Sequence, residues 1–528
     1  MQSCFGLFGR PARAGYARWL TAPMVAAPLL LGACDDRSLP LEPAGEPAAA
    51  SLVASPTIRT AEGDLVTSDA AAFAQALAEI GPEGKVLIWL KETGTARPSA
   101  EFLLNLPGSS PETIALPADA PGASRRNDLG AGSVRGASLN AVVRALTQAG
   151  VNDPNPMQAL GVISARLPER VRLAALQVLL RHPNVDYVSA VRAEPAEFHG
   201  DPLGLNSPDV RHTMHQVTSS PPYNTGVWSE TRGAGIKIGV IDSGLARVTA
   251  TGSFHEDALF TTTTFNNFGV VALGFVDDEC GSTSANNGSC IANDDDGHGS
   301  AMVGLVGAND NDVGGVGIAP YATTYSMKVA WDTHIRGHCG DNPFNDSSYC
   351  IENDDYIRAI NYAAAQRFHV LLISFSKGSN SDVYRALSTA YHTYGVFLVA
   401  STGNTVGGSA QYPANYDVVM GVGGVDVSGN NLYSTAARDV SGYAGGYTLQ
   451  PSCLNRNAYC DAGSPGLYGG ATGTSAAAAN VAGVVALVRA CYTTETPAQI
   501  WTRVVNSAEG VNRVVKAYAA MNYDCPTL

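Results

Sequence analysis

Three short segments of this chain place an acid, a base and a nucleophile between glycines. A serine hydroxyl attacks a carbonyl efficiently only when an adjacent imidazole takes its proton and a carboxylate orients that imidazole. The segments therefore predict nucleophilic serine hydrolysis by Asp242, His298 and Ser475. They are Gly239-Val-Ile-Asp-Ser-Gly244, Asp296-Gly-His-Gly-Ser300 and Gly473-Thr-Ser-Ala-Ala477.

The residues around these side chains predict the elements that hold them. Asp242 ends the apolar run Ile236–Ile241, which indicates a buried parallel strand. Open parallel sheets carry their chemistry at the carboxyl ends of their strands. His298 and Ser475 each begin a stretch of small and apolar residues that predicts a helix packed on the sheet. A helix N-terminus favours the negative charge that develops when serine attacks a carbonyl.

Taken singly, each motif has a plainer explanation, since an Asp after a strand is usually a turn residue and Gly-Thr-Ser is a common helix start. Together and in this order, they resemble the subtilisin-like serine proteases, or subtilases, from about Asn206 to Leu528. The resemblance implies that Ser475 is the nucleophile, His298 the general base and then acid, and Asp242 the orienting carboxylate. The implied fold is α/β, a parallel-sheet catalytic domain with helices on both faces.

A fourth polar residue fits the same resemblance. The run Val396–Ser401 predicts a strand that leads into the turn at Gly403 and Asn404. In subtilases an Asn at this place donates its side-chain amide to the oxyanion, and the second donor would be the backbone N–H of Ser475. Without the three motifs, Asn404 would be explained as a turn residue.

Substrate binding is expected on two segments that flank the site. Val370–Ser374 predicts a buried strand, and the residues after it resemble the subtilase segment that pairs its backbone with an extended peptide. Thr405 follows the predicted oxyanion Asn, so no acidic group favours basic residues there and a broad or apolar preference is expected. The implied walls of the main pocket are Ser376, Lys377 and Gly378 on one side and Ser401, Thr402 and Gly403 on the other.

Four residues near His298 and Ser475 depart from the family pattern. Ser300 and Ala301 stand where subtilases usually have Thr and a second His. Ala479 and Asn480 stand where they usually have Pro and His. None of these changes removes a member of the predicted triad, so they bear on rate rather than on reaction type.

A structural calcium ion follows from the resemblance, whereas catalysis needs no cofactor. Calcium takes about six to eight oxygens from mixed sources. The alternative is a solvated polar turn. His334 and His338 have zinc-ligand spacing, but no carboxylate pattern accompanies them and a zinc site is not expected. The implied calcium ligands are the carbonyls of Asn309, Val313 and Gly315, the side chain of Asn311 and the carboxylate of Asp257.

Residues 1–33 predict an export signal, because Arg10, Arg13 and Arg18 precede the apolar stretch Met24–Ala33. The stretch runs into Leu31-Gly-Ala-Cys34, which resembles the bacterial lipobox, where the Cys becomes lipidated. The alternative is ordinary signal cleavage. Residues 34–82, rich in Ala and Pro near their start, are expected to form a flexible linker.

Residues 83–197 alternate predicted strands and helices in a pattern that resembles the subtilase propeptide. This small α+β domain assists folding and blocks the active site until it is cleaved off. The alternative is a retained binding domain. Cleavage is expected between Ala196 and Ser207, so a lipid on Cys34 would anchor only the precursor. The peptidase domain, residues 206–528, would then be released as a secreted enzyme.

Composition agrees with export. The formal charge is 33 − 47 = −14, which argues against nucleic acid as the main partner and suits a monomer that acts on proteins or peptides. Apart from Cys4 and Cys34, eight cysteines remain, as suits disulfides in an oxidising compartment. Proximity suggests the pairs Cys280–Cys290, Cys339–Cys350, Cys453–Cys460 and Cys491–Cys525.

Two other functions stay open at this level. A non-catalytic exported binding protein would use the same fold. An esterase would use the same triad, although no Gly-x-Ser-x-Gly elbow surrounds Ser475. The function expected is a secreted serine endopeptidase that works through an acyl-enzyme and processes its own precursor.

Overall fold

A mostly parallel sheet of nine strands forms the centre of the computed structural model; its strands Thr261–Thr262 and Asn431–Tyr433 pair antiparallel. Its order is Thr261–Thr262, Asn267–Gly274, Thr323–Lys328, Lys237–Asp242, Val370–Ile373, Phe397–Ser401, Met420–Val425 and Asn431–Tyr433, with Val440–Tyr443 also paired to Met420–Val425. The structure describes residues 58–59, 65–80, 84–91, 101–104, 128–191, 193–195, 197–198, 208–218, 226–248, 251–258, 261–262, 267–276, 288–311, 314–333, 349–433, 439–453, 459–463 and 468–525.

The strand Lys237–Asp242 lies in the middle of this sheet. It pairs in parallel with Thr323–Lys328 on one side and with Val370–Ile373 on the other. Its residues from Ile238 to Asp242 are all buried, because helices cover both faces of the sheet. This burial explains why the strand is a continuous apolar run rather than an alternating one.

Helices alternate with the strands, as a parallel sheet requires. In the region that carries the sheet they are Pro208–Met214, His298–Gly307, Asn353–Ala365, Ser381–Tyr394, Thr474–Cys491, Pro497–Asn506 and Ala517–Ala520, with 3-10 turns at Val227–Ser229 and Glu256–Ala258. Smaller strand pairings join Ala330–Asp332 to Tyr349–Glu352 and Gly445–Leu449 to Tyr468–Thr472.

The helix Thr474–Cys491, called here the serine helix, lies in the core. It has the length and hydropathy of a membrane-spanning helix, but 94% of that window is buried inside the protein. Its Ala-rich sequence lets it approach the sheet closely, and Gly483 lies so near Ile318 that an added Cβ would meet its side chain at 2.5 Å. The serine helix is therefore a core helix of this fold.

A second sheet, called here the N-terminal sheet, precedes the central one and belongs to the same compact unit. Its order is Ile58–Arg59, Leu65–Thr67, Glu101–Leu104, Val185–Ala190, Lys85–Leu90, Val162–Arg166 and Asn155–Met157. Its helices are Ala70–Ile80, Asp128–Gln148 and Glu169–Arg181.

The N-terminal sheet corrects one expectation. Residues 65–80 were expected to belong to a linker ending at 82, but they form a strand and a helix. Phe73 and Leu77 of this helix are buried in the same apolar core as Val86 and Ile88. The composition hid the helix because its apolar face is narrow and its other residues are mostly Ala. Residues 34–57 lie outside the described residues.

The N-terminal sheet packs on the helices Asn353–Ala365 and Ser381–Tyr394. The Oδ1 atom of Asn361 accepts hydrogen bonds from the backbone N–H groups of Ala159 and Leu160, at 3.0 and 3.3 Å. The hydroxyl of Tyr187 donates to Oδ1 of Asp382 at 2.9 Å. The two regions thus share polar contacts as well as an apolar core.

A buried charge cluster lies in the same contact region. Nζ of Lys85 is 3.1 Å from Oδ2 of Asp354 and also pairs with Glu352. Arg358 pairs with Asp354 at 2.5 Å and with Asp355. The charge of Lys85, supplied by the N-terminal sheet, therefore helps to neutralise an acidic cluster on the helix Asn353–Ala365.

The central sheet confirms the expected α/β fold. Apolar runs in the sequence predict strands near Ile236, Tyr325, Val370, Val396 and Val418, and each has a counterpart in the sheet. From the sequence alone, residues 260–293, which lie between Asp257 and His298, are interpreted as an insertion. They nevertheless contribute the strand Asn267–Gly274, which pairs in parallel with Thr323–Lys328. The apolar run Val270-Val-Ala-Leu273 carries this strand, but its glycines and the polar residues around it obscured the pattern.

Two of the expected disulfides lie within the described residues. They join Cys453 to Cys460 and Cys491 to Cys525. Cys290 and Cys350 are also disulfide-bonded. Their expected partners, Cys280 and Cys339, lie outside the described residues, so those two pairings stay predictions.

Candidate active site

The carboxyl end of the central strand places Asp242 beneath the candidate site. Asp242 is fully buried, and its Oδ1 accepts a hydrogen bond from the backbone N–H of Ser243 at 2.8 Å. Nδ1 of His298 lies 2.8 Å from Oδ1 and 3.0 Å from Oδ2 of this carboxylate. The carboxylate therefore fixes the ring orientation and keeps the proton on Nδ1, so that Nε2 is the atom able to accept a proton.

The surroundings of His298 favour its protonated form. Burial by itself lowers the pKa of His298, but the charge and hydrogen bond of Asp242, with the charges of Asp296 and Asp294, outweigh it and raise the pKa above 6.5. The negative charges around His298 thus stabilise the imidazolium that forms when the ring gains a proton.

A buried aspartate organises the loop that leads to His298. Oδ1 of Asp294 accepts hydrogen bonds from the backbone N–H groups of Asp296 and Gly297, at 3.1 and 2.9 Å. Its Oδ2 accepts from the backbone N–H of Ser300 at 2.9 Å and from its hydroxyl at 2.6 Å. Asp294 thereby satisfies the exposed N–H groups at the start of the helix His298–Gly307.

Ser243 links this loop to the central strand. Its hydroxyl donates to Oδ1 of Asp294 at 2.8 Å and accepts from the backbone N–H of Gly299 at 2.9 Å. A Cβ on Gly299 would lie 2.5 Å from the carbonyl oxygen of Gly244, so only glycine permits this approach. The helix that carries His298 is therefore held against the turn after Asp242.

The two acids that follow Asp294 have different partners. Asp295 forms an ion pair with Lys328 at 3.1 Å, and both side chains are fully buried. Asp296 accepts a hydrogen bond from the backbone N–H of His298 at 3.0 Å. Burial raises the pKa of Asp296 to about 6, although the charge of His298 opposes this change.

Ser475 lies in the first turn of the serine helix. The preceding Gly473 has φ 98° and ψ 175°, a conformation that only glycine adopts readily. The hydroxyl of Ser475 donates to the carbonyl oxygen of Ser374 at 2.8 Å. The helix start therefore brings the hydroxyl to the end of the neighbouring strand Val370–Ile373.

Asn404 lies beside the same helix start. Its Oδ1 accepts hydrogen bonds from the backbone N–H and the hydroxyl of Thr474, both at 2.9 Å. The Thr474 hydroxyl also accepts from the backbone N–H of Gly403 at 3.2 Å. Because these donors fix which end of the amide is the oxygen, the Nδ2 group faces away from Thr474 and is a donor directed elsewhere.

A strand of the N-terminal region lies along the candidate cleft. Glu197–Phe198, called here the tail strand, pairs antiparallel with Phe375–Ser376, called here the cleft strand. The register places Phe198 opposite Phe375 and Glu197 opposite Ser376. Just before the tail strand in the sequence, Ala193–Pro195 pairs antiparallel with Tyr349–Glu352. The backbone at Ser376 thus pairs with an extended segment of the same chain, and binding of a substrate there stays a prediction.

The other expected pocket residues have mixed roles. Lys377 turns its Nζ to the carbonyl of Ile351 and to Oδ1 of Asn353, at 2.9 and 2.8 Å. Ser401 and Thr402 are fully buried, and the Thr402 hydroxyl donates to the carbonyl of Val422 at 3.1 Å. Gly378 and Gly403 follow these residues at the ends of their segments. At several of the expected wall positions the side chain is buried or bonded to other groups, so the backbone would line the pocket there.

The expected calcium ligands are partly brought together. Oδ2 of Asp257 accepts from the backbone N–H of Gly315 at 3.4 Å and from the hydroxyl of Tyr468 at 2.6 Å. The side-chain amides of Asn309 and Asn311 both donate to the carbonyl of Glu256, at 3.3 Å. Val313 lies outside the described residues, as do His334 and His338.

The chemistry of this donor set fits a hard cation. Asp257 is fully buried, and among the described residues its Oδ1 atom has no hydrogen-bond partner. Burial raises the pKa of Asp257, although hydrogen bonds from Tyr468 and Asn311 oppose this change. A buried carboxylate oxygen without a donor is the kind of group that an oxygen-loving cation would satisfy.

The residues that depart from the expected pattern have structural partners. The Ser300 hydroxyl accepts from the backbone N–H of Ala246 at 2.8 Å while it donates to Asp294. The Asn480 amide donates to the carbonyls of Tyr443 and Gly445, at 2.9 and 3.0 Å. These side chains fasten the two helices that carry the imidazole and the hydroxyl.

Sequence reasoning missed the residues that hold the candidate catalytic groups. Ser243 and Thr474 lie within the motifs and Asp294 lies two residues before one, but nothing in their types distinguishes them from turn residues. The one available clue was the spacing of Asp294 before a predicted helix start, where an Asp accepts N–H bonds three residues on.

The fold and the site together define a class of protein. A carboxylate and an imidazole in contact, a hydroxyl at a helix N-terminus and a fixed amide beside it all lie at the carboxyl ends of parallel strands. This arrangement defines a serine hydrolase built on an α/β sheet, with a cleft edge that pairs with extended peptide.

Comparison with known proteins identifies the family. The model of the subtilase family matches residues 233–520, which is more than half of the chain, and the chain belongs to that family. Subtilisin DY from Bacillus licheniformis is 27% identical over 285 residues, 52% of this chain and 85% of that protein. The major intracellular serine protease of Bacillus subtilis (strain 168) is 29% identical over 273 residues, 50% of this chain and 71% of that protein. The protein is thus a subtilisin-like serine endopeptidase.

A solved structure shows the same fold. The crystal structure of fervidolysin from Fervidobacterium pennivorans, described as a keratinolytic enzyme related to subtilisin, superimposes with a TM-score of 0.52 at 18% identity. The match covers 84% of this chain and 61% of that one.

Proposed function

We propose that the enzyme is an exported endopeptidase, made as a self-processing precursor, in which Asp242, His298 and Ser475 form the catalytic triad. The observation that carries this proposal is the contact between Nδ1 of His298 and both carboxylate oxygens of Asp242, at 2.8 and 3.0 Å. This contact leaves Nε2 as the base that takes the proton of Ser475.

The reaction then follows from the arrangement. The Ser475 oxygen attacks the scissile carbonyl while its proton passes to His298, and the carbonyl oxygen becomes an oxyanion. Nδ2 of Asn404 and the backbone N–H of Ser475 donate to that oxyanion. His298 next gives its proton to the leaving amine, which departs and leaves an acyl-enzyme. Water, deprotonated by His298, attacks the acyl-enzyme and releases Ser475.

We propose further that residues 83–197, with the strand and helix that precede them, act as an inhibitory propeptide. The pairing of the tail strand with the cleft strand supports this, because it fills the edge where a substrate would bind. The contacts of Asn361, Asp382 and Asp354 with the N-terminal sheet hold the inhibitor in place. A retained binding domain is disfavoured because it would leave this edge blocked.

The pairing direction also supports cleavage within residues 196–207. Because the strands are antiparallel, the chain leaves Phe198 in the direction of Ser374, whose carbonyl accepts the Ser475 hydroxyl. This direction supports a scissile bond shortly beyond Phe198. Cleavage there would separate the catalytic domain from Cys34 and from any lipid that Cys34 carries.

Calcium is part of the proposal as a structural ion. Asp257, Asn309, Asn311 and Gly315 would hold it, together with Val313, and it would neutralise the buried carboxylate of Asp257. The unpartnered Oδ1 of that carboxylate supports the assignment. Substrates are proposed to be proteins and peptides of broad or apolar preference, and the matured enzyme is proposed to be a monomer.

A fluorophosphonate probe tests the proposal. We expect the matured protein to be labelled at Ser475 and to digest casein. The Ser475→Ala variant should accumulate as an unlabelled precursor of full length, with its tail uncut. Labelling that survives in Ser475→Ala, or normal processing of that variant, would reject both the triad and self-processing. Sequencing the N-terminus of the mature protein then tests the cleavage window and the loss of Cys34.

A further inference from the structure

A short segment closed by a disulfide crosses the loop that leads to His298. We call this segment, Pro451–Cys453 with Tyr459–Ala462, the strap. Its two arms pair through reciprocal backbone hydrogen bonds between Ser452 and Asp461, at 2.8 and 3.0 Å, and the Cys453–Cys460 disulfide ties them together.

The strap contacts the loop 294–297 at two points and lies beside Lys328, the ion-pair partner of that loop, at a third. The backbone N–H of Cys460 donates to the carbonyl of Asp294 at 2.9 Å. Gly297 lies against the other arm, since a Cβ there would be 3.0 Å from Sγ of Cys453. Nζ of Lys328, the ion-pair partner of Asp295, lies 5.0 Å from the centre of the Tyr459 ring.

The strap also contacts residues 246–248, which follow the turn after Asp242. The backbone N–H of Ala462 donates to the carbonyl of Arg247 at 3.0 Å. Cys460 and Ala462 are buried with Ala246 and Val248 in a small apolar cluster, and Cys453 packs against it. The strap therefore bridges the two segments that carry Asp242 and His298.

From these contacts we propose that the disulfide-closed strap is a positioning element for catalysis. It holds the loop 294–297, and through it the imidazole of His298, against Asp242. Reduction or removal of Cys453–Cys460 should lower turnover while the fold persists. This inference rests on the proposed triad, since the strap acts only through His298.

The physical reason is the sensitivity of proton transfer to geometry. Asp294 fixes the backbone N–H groups of Gly297 and Ser300, and the strap holds the carbonyl of the same Asp294. Without the disulfide the arms are joined by the two Ser452–Asp461 backbone hydrogen bonds and by the chain between Cys453 and Cys460, so the Cys460 arm and the loop gain freedom. Displacements of about 1 Å in catalytic groups cost up to about a hundredfold in rate.

Two paired variants test the inference on the full chain. Cys453→Ser/Cys460→Ser removes the strap disulfide, and Cys491→Ser/Cys525→Ser removes the disulfide that ties the C-terminal tail to the end of the serine helix. Matured enzymes are titrated with a fluorophosphonate, and kcat and KM are measured on one chromogenic peptide. We expect the strap variant to lose at least about tenfold in kcat with KM within about twofold, and the control to keep kcat.

Hydrogen exchange provides a second measurement of the strap in case the strap variant does not mature. In the Ser475→Ala precursor, which needs no activity, removing the strap disulfide should speed exchange of the backbone amides of Gly297 and Ser300 at least about tenfold. Removing the Cys491–Cys525 disulfide should leave the exchange rates of these two amides unchanged. Equal kcat in the two variants, or unchanged exchange at both amides, overturns the inference. If no fluorophosphonate labels the wild-type protein, the proposed function is rejected. The hydrogen-exchange rates of Gly297 and Ser300 would then be the test of whether the strap holds the loop.

Discussion

Thr474 donates two hydrogen bonds to the same atom of Asn404: its backbone N–H and its hydroxyl both lie 2.9 Å from Oδ1. The residue before the proposed nucleophile thus orients the proposed oxyanion donor. Since a side-chain amide has its oxygen and nitrogen on opposite sides of one carbon, fixing Oδ1 also fixes where Nδ2 points.

We expect Thr474→Val to lower kcat about fivefold to tenfold with little change in KM. The valine keeps the shape and the backbone N–H but loses the hydroxyl, whose hydrogen bond contributes about 1 kcal/mol to holding the amide. Thr474→Ser, which keeps the hydroxyl, should restore the rate. Steady-state kinetics on matured enzyme decides, and a valine variant as fast as the wild type would show that Thr474 does not orient Asn404.

Asn404→Ala should have a larger effect than Thr474→Val, because it removes the proposed oxyanion donor itself. We expect a loss of about 10²–10³ in kcat, the range known for the equivalent donor of subtilisin, a member of the same family. KM should change little, since the hydrogen bond forms chiefly in the transition state. The two changes should not add when combined, because Thr474 has no amide left to orient. Additive losses would contradict the shared role.

The acid limb of activity should shift in Asp296→Asn. Negative charge at Asp296 helps to raise the pKa of His298, and the imidazole must be neutral to act as a base. Removing that charge lowers the pKa of His298, so the base form persists to lower pH. We expect the acid limb of kcat/KM to move down by about half a pH unit or more. Asp417→Asn, at an exposed position, should leave the limb in place.

The three consecutive acids of that loop show how far sequence reasoning reaches. Asp294, Asp295 and Asp296 are the same residue type in one polar run, and their pattern gave no reason to separate them. Their roles depend on partners far along the chain, such as Lys328 for Asp295. The contact between Asp242 and His298 was predictable because the neighbours of both residues are specific. The residues that hold this pair were not predictable, because tertiary packing assigns them.

The proposed propeptide should be held less tightly in Lys85→Met. Lys85 is buried against Asp354, and although burial raises the pKa of Asp354, Arg358 and Lys85 together keep it well below its usual range. Loss of the Lys85 charge leaves that carboxylate with one cation fewer, a strongly unfavourable change for a buried group. We expect protease activity to appear at least about tenfold sooner after self-cleavage.

The matched control for that prediction is Arg181→Met, because Arg181 is exposed at the end of the helix Glu169–Arg181. Both variants lose one positive charge from the N-terminal region, so only the contact with the acidic cluster differs. The time course of casein digestion by the freshly folded precursor measures the delay. Identical delays in Lys85→Met and the wild type would contradict a holding role for this cluster.

Chelation should test the calcium proposal. A bound ion stabilises the folded state by mass action, by about 2.7 kcal/mol at a concentration one hundred times its dissociation constant. We therefore expect a chelator to lower the melting temperature of the Ser475→Ala precursor by several degrees, and added calcium to restore it. Asp257→Asn should abolish the difference, whereas Asp310→Asn in the same loop should keep it. If the chelator leaves the melting temperature of the Ser475→Ala precursor unchanged, the calcium proposal is wrong.

The fold itself was predictable where hydrophobic pattern and topology agree. The five strands expected from apolar runs are all present, because strands buried on both faces must be apolar throughout. Two elements were missed for the opposite reason. The helix Ala70–Ile80 buries only a narrow face, and the strand Asn267–Gly274 stands near the edge of the sheet among glycines and polar residues.

The disulfide Cys491–Cys525 should stabilise the fold without affecting the reaction. It closes a loop with a sequence separation of 34 residues and ties the C-terminal tail to the end of the serine helix, at the opposite end from Ser475. Restricting the unfolded chain over a loop of this length contributes about 4 kcal/mol in the chain-entropy model. We expect Cys491→Ser/Cys525→Ser to unfold at a melting temperature lower by about 5–10 °C. Below that transition its kcat should equal the wild-type value, because the helix N-terminus that carries Ser475 keeps its own contacts with Ser374 and Asn404. A variant that melts at the wild-type temperature would show that the tail is held by its apolar contacts alone.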